Sequence, residues 1–351
     1  MSKKILILRL SAIGDTIHTL PLVNALKEQY PDCTIGWVVE DKAALFIQGH
    51  KNIDRCYVIP KKQWKQRGLS LQNIKEFFEI VNNINKEHYD IVLDTQQLFK
   101  SAVLLPFLNI KRKITLTGGR EFSGIFSNEI VKAQHELFDP NYHVVKRNLE
   151  LAKYLGVTDC KVEFRLSDAP VEVQNKVKNL LSALDPNKKT VVISPATTWA
   201  NKHWSEDSWK EVVEYLSGKV NLVFTGMKQD TDLIERISAG VDSKIILAGQ
   251  TNLEELAQVF RNADIVISPD SGSAHIAWAV EKPFVITIFT ATAALRNAPF
   301  GKNCACFYPD TDCYPCMKRK CKLKKGKNLC CHAVSAQKVI EKINDVLSAR
   351  V

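Results

Sequence analysis

The sequence predicts an α/β protein made of two doubly wound halves, each a parallel sheet covered by helices. Three observations carry this. Short β-rich apolar runs alternate with amphipathic helical stretches along the chain, which is the pattern of βαβ units. The alternation restarts after "RLSDAPVEVQNKVKNLLSALDPNKK". At 351 residues the chain also exceeds the usual size of a single core, so two domains are expected.

In the first half, strands are expected at "KILILRL", "TIGWVVE", "RCYVIP" and "DIVLDTQ", with helices at "LPLVNALKEQY" and "LQNIKEFFEIVNNINK". In the second, strands fall at "TVVISPA", "VNLVFTG", "KIILAG", "DIVISPD" and "FVITIFT". Helices there fall at "SWKEVVEYLSG", "DTDLIERISAG", "NLEELAQVFRNA" and "SAHIAWAVE". The expected domains are residues 1–165 and 166–332, the latter carrying a Cys-rich segment at 304–331, and a last helix, "SAQKVIEKINDVLSA", lies within 333–351.

With 45% hydrophobic and 25% charged residues the composition is that of a soluble globular protein. No run approaches the roughly 20 apolar residues that span a bilayer. The start "MSKKILILRLSAIGD" enters a strand pattern without a cleavage signature, so a cytoplasmic location is expected. The net charge of +10 concentrates in "KKQWKQR", "KRK" at 111–113 and "KRKCKLKKGK". Such patches suit nucleic acid, anionic lipid or phosphorylated substrates, or form a solvated face, and charge alone does not choose. A basic stripe interleaved with aromatics, or a recognised nucleic-acid module, is missing, so nucleic acid is not an expected partner.

Ligands of doubly wound sheets sit beyond the carboxyl ends of the strands, so the strand ends are the candidates. After the strand "TVVIS", the loop "PATTWANKHW" offers Thr197, Thr198 and Lys202: two hydroxyls and a full positive charge suit a phosphate, and turn residues with a solvated lysine are the alternative. "SPDSGSAH" places Asp270, Ser271 and Gly272 at a helix start with His275 in its first turn. That is a phosphate site beside a carboxylate able to take sugar hydroxyls, or a capping sequence with a packed histidine. Asp230 and Asp232 follow Gly226, where an acidic residue takes ribose hydroxyls in nucleotide sites. G-x-x-x-x-G-K-S/T and G-x-G-x-x-G are both absent, so neither a P-loop nor a dinucleotide fingerprint is supported. In the first half, Asp15 ends "SAIGD", where Gly14 permits a tight turn. It either caps a helix or acts as a general base.

Together "LRLSAIGDTIHTLP", "YDIVLDTQQLFKSA", "ATTWANKHWSEDSW" and "SPDSGSAHIAWAVEKPFVITIF" resemble the glycosyltransferases of family 9, the bacterial heptosyltransferases. The likeness is strongest to members that add the first heptose to the Kdo-lipid A inner core. It implies a GT-B fold of two Rossmann-like domains facing across a cleft, the N-terminal one for the acceptor and the C-terminal one for ADP-heptose, with the terminal helix packing back toward the N-terminal domain. It implies an inverting displacement with Asp15 as base. Thr197, Thr198 and Lys202 would hold the pyrophosphate and stabilise the leaving ADP, with Ser271, Gly272 and His275 beside it. Asp270 would hold heptose and Asp230 the ribose. The acceptor side would comprise Ser11, Gly14, Lys61, Lys62, Lys65, Arg67, Lys100 and Arg120, the cations meeting the carboxylates and phosphates of an anionic glycolipid. No cofactor is required for catalysis, and the enzyme would work at the cytoplasmic face of the inner membrane. The alternatives are a family 9 enzyme of other specificity, such as heptosyltransferase II or a protein heptosyltransferase, and a non-catalytic nucleotide- or nucleic-acid-binding protein.

Five of ten cysteines crowd into "CYPCMKRKCKLKKGKNLCC". Cys313, Cys316, Cys321 and Cys330 have a spacing suited to a structural zinc or iron site, and free packed thiols are the alternative. Either way the segment is expected away from the chemistry.

Overall fold

The computed structural model describes residues 3–324 and 326–349, in two compact units, Met1–Ser167 and Asp168–Val351. The first carries β1 (Lys4–Leu8), β2 (Thr34–Glu40), β3 (Arg55–Ile59), β4 (Ile91–Asp94), β5 (Arg112–Leu116) and β6 (Glu129–Val131). The second carries β7 (Thr190–Ile193), β8 (Asn221–Phe224), β9 (Lys244–Ile246), β10 (Ile265–Pro269), β11 (Phe284–Ile288) and β12 (Cys304–Phe307). The first sheet runs β3-β2-β1-β4-β5-β6 and the second β12-β11-β10-β7-β8-β9, and β1 pairs in parallel with both β2 and β4, as β7 does with both β8 and β10. Both are the Rossmann strand order, which reverses direction at its centre and opens a crevice there. That crevice lies past β1 and β4 in one unit and past β7 and β10 in the other.

The central strands are apolar throughout because helices cover both faces of a parallel sheet: Ile5 to Leu8 and Ile265 to Ile267 are fully buried. The helix Leu71–Lys86 follows its expected bounds, started by Ser70, whose side chain accepts from the Asn73 amide. The terminal helix Ala336–Ala349 lays Val339, Ile340, Ile343 and Val346 into the second core, beside Trp209, Val212, Val213 and Leu216. Strands β5, β6 and β12 lie outside the expected set. Basic residues at 111–113 masked "ITL", β6 is only three residues long, and β12 hides among the cysteines as "CACF".

Candidate functional site

The second unit builds its site from the loops after β7, β10 and β11. Asp270 is 3% exposed. Its Oδ2 accepts from Lys202 Nζ at 2.6 Å and from the Thr292 hydroxyl at 2.5 Å, and His275 Nε2 lies 3.5 Å from its Oδ1. Burial pushes the Asp270 carboxyl up, but the His275 hydrogen bond and the Lys202 charge hold it well below the usual carboxylate range. Lys202 also donates to the Asp270 carbonyl at 3.3 Å and lies over the Trp199 ring. Thr197 donates to the same carbonyl at 3.4 Å, while its own carbonyl accepts from or faces His203 Nε2 at 2.8 Å. The structure thus brings Thr197, Lys202, Asp270 and His275 together. Thr198 is exposed on the same loop.

Ser271 does not cap the helix Gly272–Ala279 with its side chain, whose hydroxyl instead pairs with Ser268 at 2.9 Å. The amides of that first turn are therefore not met by the capping side chain that "DSGS" suggested. A Cβ on Gly272 would meet nothing within 4 Å, so open space borders the backbone there. Asp230 stands apart in a capping role: its Oδ2 accepts from the Met227 amide at 2.7 Å. Asp232 is exposed.

Strand-end reasoning passed over Thr292 and Asn201. Asn201 is buried, its side chain donates to the Lys318 carbonyl at 3.1 Å, and its own carbonyl accepts from Thr290. Thr292 lay in reach of that reasoning, just past the apolar run "FVITIF".

In the first unit, the loop after β1 is held by Gln96, whose Oε1 accepts from the Leu10 and Ser11 amides at 3.0 and 3.1 Å. Asp15 lies in the short helix Ile13–Ile17, half-buried, its Oδ2 accepting from the Ala12 amide at 3.1 Å. The capping interaction is therefore real, and it fixes where the carboxylate sits. Behind it Arg9 is buried, its Nε donating to Thr19 Oγ1 at 3.2 Å. Burial lowers the Arg9 pKa, and the charges of Asp15 and Asp94 counter that effect. Asp94, at the end of β4, accepts from the Gln96 and Gln97 amides and the Ser101 hydroxyl. Its burial still raises the carboxyl to about 6.

Lys61 and Lys100 converge on one residue absent from the expectations, Glu40 at the end of β2. Lys61 reaches its oxygens at 2.8 and 2.9 Å and Lys100 reaches Oε1 at 3.0 Å while also donating to Ser11. Gly14 is buried in the helix Ile13–Ile17. Lys62 and Lys65 are exposed. Arg67 is committed to Glu76, with both guanidinium nitrogens on that carboxylate at 2.8 and 3.0 Å. Arg120 lies over the Phe138 ring, 5.2 Å from its centroid.

The expected metal set does not assemble. All ten cysteines are free thiols, and among the described residues no group of three or more Cys, His, Asp or Glu is placed to hold a metal ion. Cys313 is exposed beside Thr311, Cys321 accepts from the Asn328 amide, and Cys330 is buried in the helix Leu329–Ala333, where its thiol hydrogen-bonds that of Cys331. Zinc or iron at Cys313, Cys316, Cys321 and Cys330 is thus unsupported. The segment is also not remote from the site. The Met317 amide donates to Ala291, the Tyr314 hydroxyl accepts from the Ala294 amide, the Asn201 amide donates to Arg319, and the Ser205 amide donates to Cys331. It braces the loops that present Lys202 and Thr292.

Two Rossmann-ordered units in tandem, with an anion-suited crevice in the second, are the anatomy of a GT-B glycosyltransferase. The chain belongs to glycosyltransferase family 9 (heptosyltransferase), whose model matches residues 77–327. It is 28% identical over 307 residues to the lipopolysaccharide core heptosyltransferase OpsX of Haemophilus influenzae, covering 85% of this chain and 82% of that one. It is 24% identical to lipopolysaccharide heptosyltransferase 1 of Pseudomonas aeruginosa, covering 99% and 98%. Among solved structures, E. coli heptosyltransferase WaaC with ADP aligns at a TM-score of 0.75 and 24% identity, over 98% of this chain and 99% of that one. This last likeness shows the fold.

Proposed function

We propose that this protein transfers heptose from ADP-heptose to a Kdo residue of the lipid A inner core, with inversion at the anomeric carbon. The observation that carries the reading is the buried Asp270 carboxylate, held by Lys202, Thr292 and His275 at the switch point of the second unit and next to a glycine that borders open space. A sugar diphosphate needs positive charge, amides and an acceptor of sugar hydroxyls within a few ångströms of one another, and these groups supply all three. The relatives are heptosyltransferases, and the solved neighbour is a heptosyltransferase with ADP.

In the reaction the acceptor hydroxyl attacks the anomeric carbon, the bond to the phosphate oxygen breaks, and ADP departs with the electron pair. Asp15 takes the hydroxyl proton. Lys202, Thr197, Thr198 and the amides at Ser271 and Gly272 meet the charge growing on ADP, a preorganised arrangement that usually supplies a large share of rate enhancement. Asp270 orients the heptose and keeps Lys202 in place, and Asp230 takes the ribose once ADP displaces its contact with Met227. Ser11, Gly14, Lys61, Lys62, Lys65, Lys100 and Arg120 receive the carboxylates and phosphates of the acceptor, while Arg67 serves through the helix it pins. Among the described residues no helix is long and apolar enough to cross a membrane. With a lipid-linked acceptor, the protein works at the cytoplasmic surface of the inner membrane.

The test is transfer itself. Purified protein given ADP-heptose and Kdo-lipid A should release ADP and yield an acceptor heavier by one heptose. The Asp15→Asn variant should bind ADP as before and lose about 10²–10⁴-fold of turnover, the range for a removed general base. Turnover retained in that variant would reduce Asp15 to its bond with Ala12.

A further inference from the structure

The helix Leu71–Lys86 presents an apolar stripe that neither the core nor the proposed site uses. Leu71, Ile74 and Phe78 recur at spacings of three and four, which places them on one face. They are 85%, 55% and 43% exposed. Leu69, just before the helix, is fully exposed, and Phe107 extends the stripe by meeting the Phe78 ring edge-on at 5.6 Å. The core takes a different face of the helix, through Phe77, Ile80, Val81 and Ile84.

The stripe is held rigidly. Glu76 accepts from Arg67 and Trp64, Asn73 donates to the carbonyls of Trp64 and Gly68, and Asn85 bonds both Phe107 and Asn109. Its border is basic: Lys75, Lys86 and Lys111 are exposed, as are Lys62 and Lys65 on the preceding helix Lys61–Arg67. The nearby acids are matched, Glu76 to Arg67 and Glu79 to Lys75, so the excess positive charge of the border rests on Lys62, Lys65, Lys86 and Lys111.

We propose that this stripe is the docking face for an anionic lipid bilayer. Leu69, Leu71 and Ile74 enter the boundary between headgroups and acyl chains while the surrounding lysines meet anionic headgroups, the division of labour of an interfacial helix. Charge favours this occupant over a second copy of the chain, because a symmetric contact would set one basic border against another. The inference deepens the membrane reading given above, and vesicle binding measured without substrate keeps its outcome separate from that of heptosyl transfer.

Flotation of the full chain with phosphatidylethanolamine vesicles containing phosphatidylglycerol should give binding that weakens as salt rises, and pure phosphatidylcholine vesicles should bind far less. A triple variant, Leu69→Gln, Leu71→Gln and Ile74→Gln, should lower partitioning about 30-fold or more, with melting temperature and ADP affinity unchanged. The variant Lys75→Gln, Lys86→Gln, Lys111→Gln should lose several-fold on the anionic vesicles alone. Wild-type protein that ignores anionic vesicles, or a triple apolar variant that binds them as well as wild type, overturns the proposal. So does a lipid-free dimer in sedimentation velocity that the apolar variant abolishes, because the face would then belong to a second copy. If transfer to detergent-dispersed acceptor fails while vesicle binding behaves as stated, the function falls and the docking face stands.

Discussion

Replacing Lys202 by methionine removes a charge from a buried pair while keeping most of the stem. The Lys202–Asp270 contact is 2.6 Å, with the side chains 17% and 4% exposed. At an effective dielectric of about 20 the gross attraction is ~6 kcal/mol, and the desolvation of both ions offsets much of it. Removing one partner of a buried pair costs about 3–5 kcal/mol because the other charge is stranded. Here Thr292 and His275 still serve Asp270 and Lys202 is partly solvated, so the cost falls at or just below the lower end of that range, ~2–3 kcal/mol. For a unit of this size that is a fall in melting temperature of roughly 5–10 °C. The pH dependence carries the diagnosis. In the wild type the Asp270 carboxyl is held below its unfolded value, so its contribution is present above about pH 4 and is lost as pH falls further. In Lys202→Met the burial effect is opposed by less, the carboxyl rises, and the deficit shrinks as pH falls and Asp270 takes up a proton. Adding Asp270→Asn to that variant should recover part of the loss. Calorimetry at several pH values reads the stability, and ADP titration should show about 10- to 100-fold weaker binding from the lost charge-assisted contact. A variant melting within a degree of wild type and binding ADP equally would refute both the buried pair and its place in the donor site.

Asp94 gives the opposite pH signature. Burial raises its folded carboxyl to about 6, above the unfolded value of about 3.9, so the folded state binds the extra proton and this group's contribution to stability rises as pH falls from about 7 to 4. Denaturant unfolding of Asp94→Asn should lack that component, and parallel pH profiles for the two proteins would contradict the assignment. Glu40→Gln removes the shared partner of Lys61 and Lys100, whose side chains are 54% and 34% exposed. The solvated lysines limit the cost to about 1 kcal/mol, or a few degrees in a melt; an unchanged melting temperature would mean that Glu40 holds neither lysine.

Much of the fold was legible because a buried parallel strand needs an apolar run and its covering helix an amphipathic one, and both are local. The strands that escaped were those whose local signal was overlaid: "RKITL" begins with two cations because Arg112 pairs with Glu129 on the neighbouring strand and Lys113 donates to the Leu105 carbonyl. "CACF" reads as part of a thiol cluster until its pairing with β11 is known. The metal reading failed on related grounds. Spacing of four cysteines states what the chain can reach, and only packing decides, as with Cys330 buried in its helix and Cys313 exposed, whether thiols converge.

The candidate site divides in the same way. Asp15, Lys202 and Asp270 could be found individually, since each follows a recognisable strand and the ends of parallel strands are where ligands sit. Their partners could not, because partnership depends on which strand ends are neighbours, and the order β3-β2-β1-β4 is set by crossovers that no local pattern encodes. That order lays the ends of β2, β1 and β4 side by side, which is how Glu40, Ser11 and Lys100 come to share one hydrogen-bonded group. The same topology in the second unit sets the loop after β11 against Asp270 and so delivers Thr292. A carboxylate such as Asp270 is tolerated at 3% exposure only because the loops after β7 and β11 and the helix Gly272–Ala279 each bring it a partner. Donor specificity in this chain is therefore expected to be as sensitive to the loop after β11 as to the lysine itself.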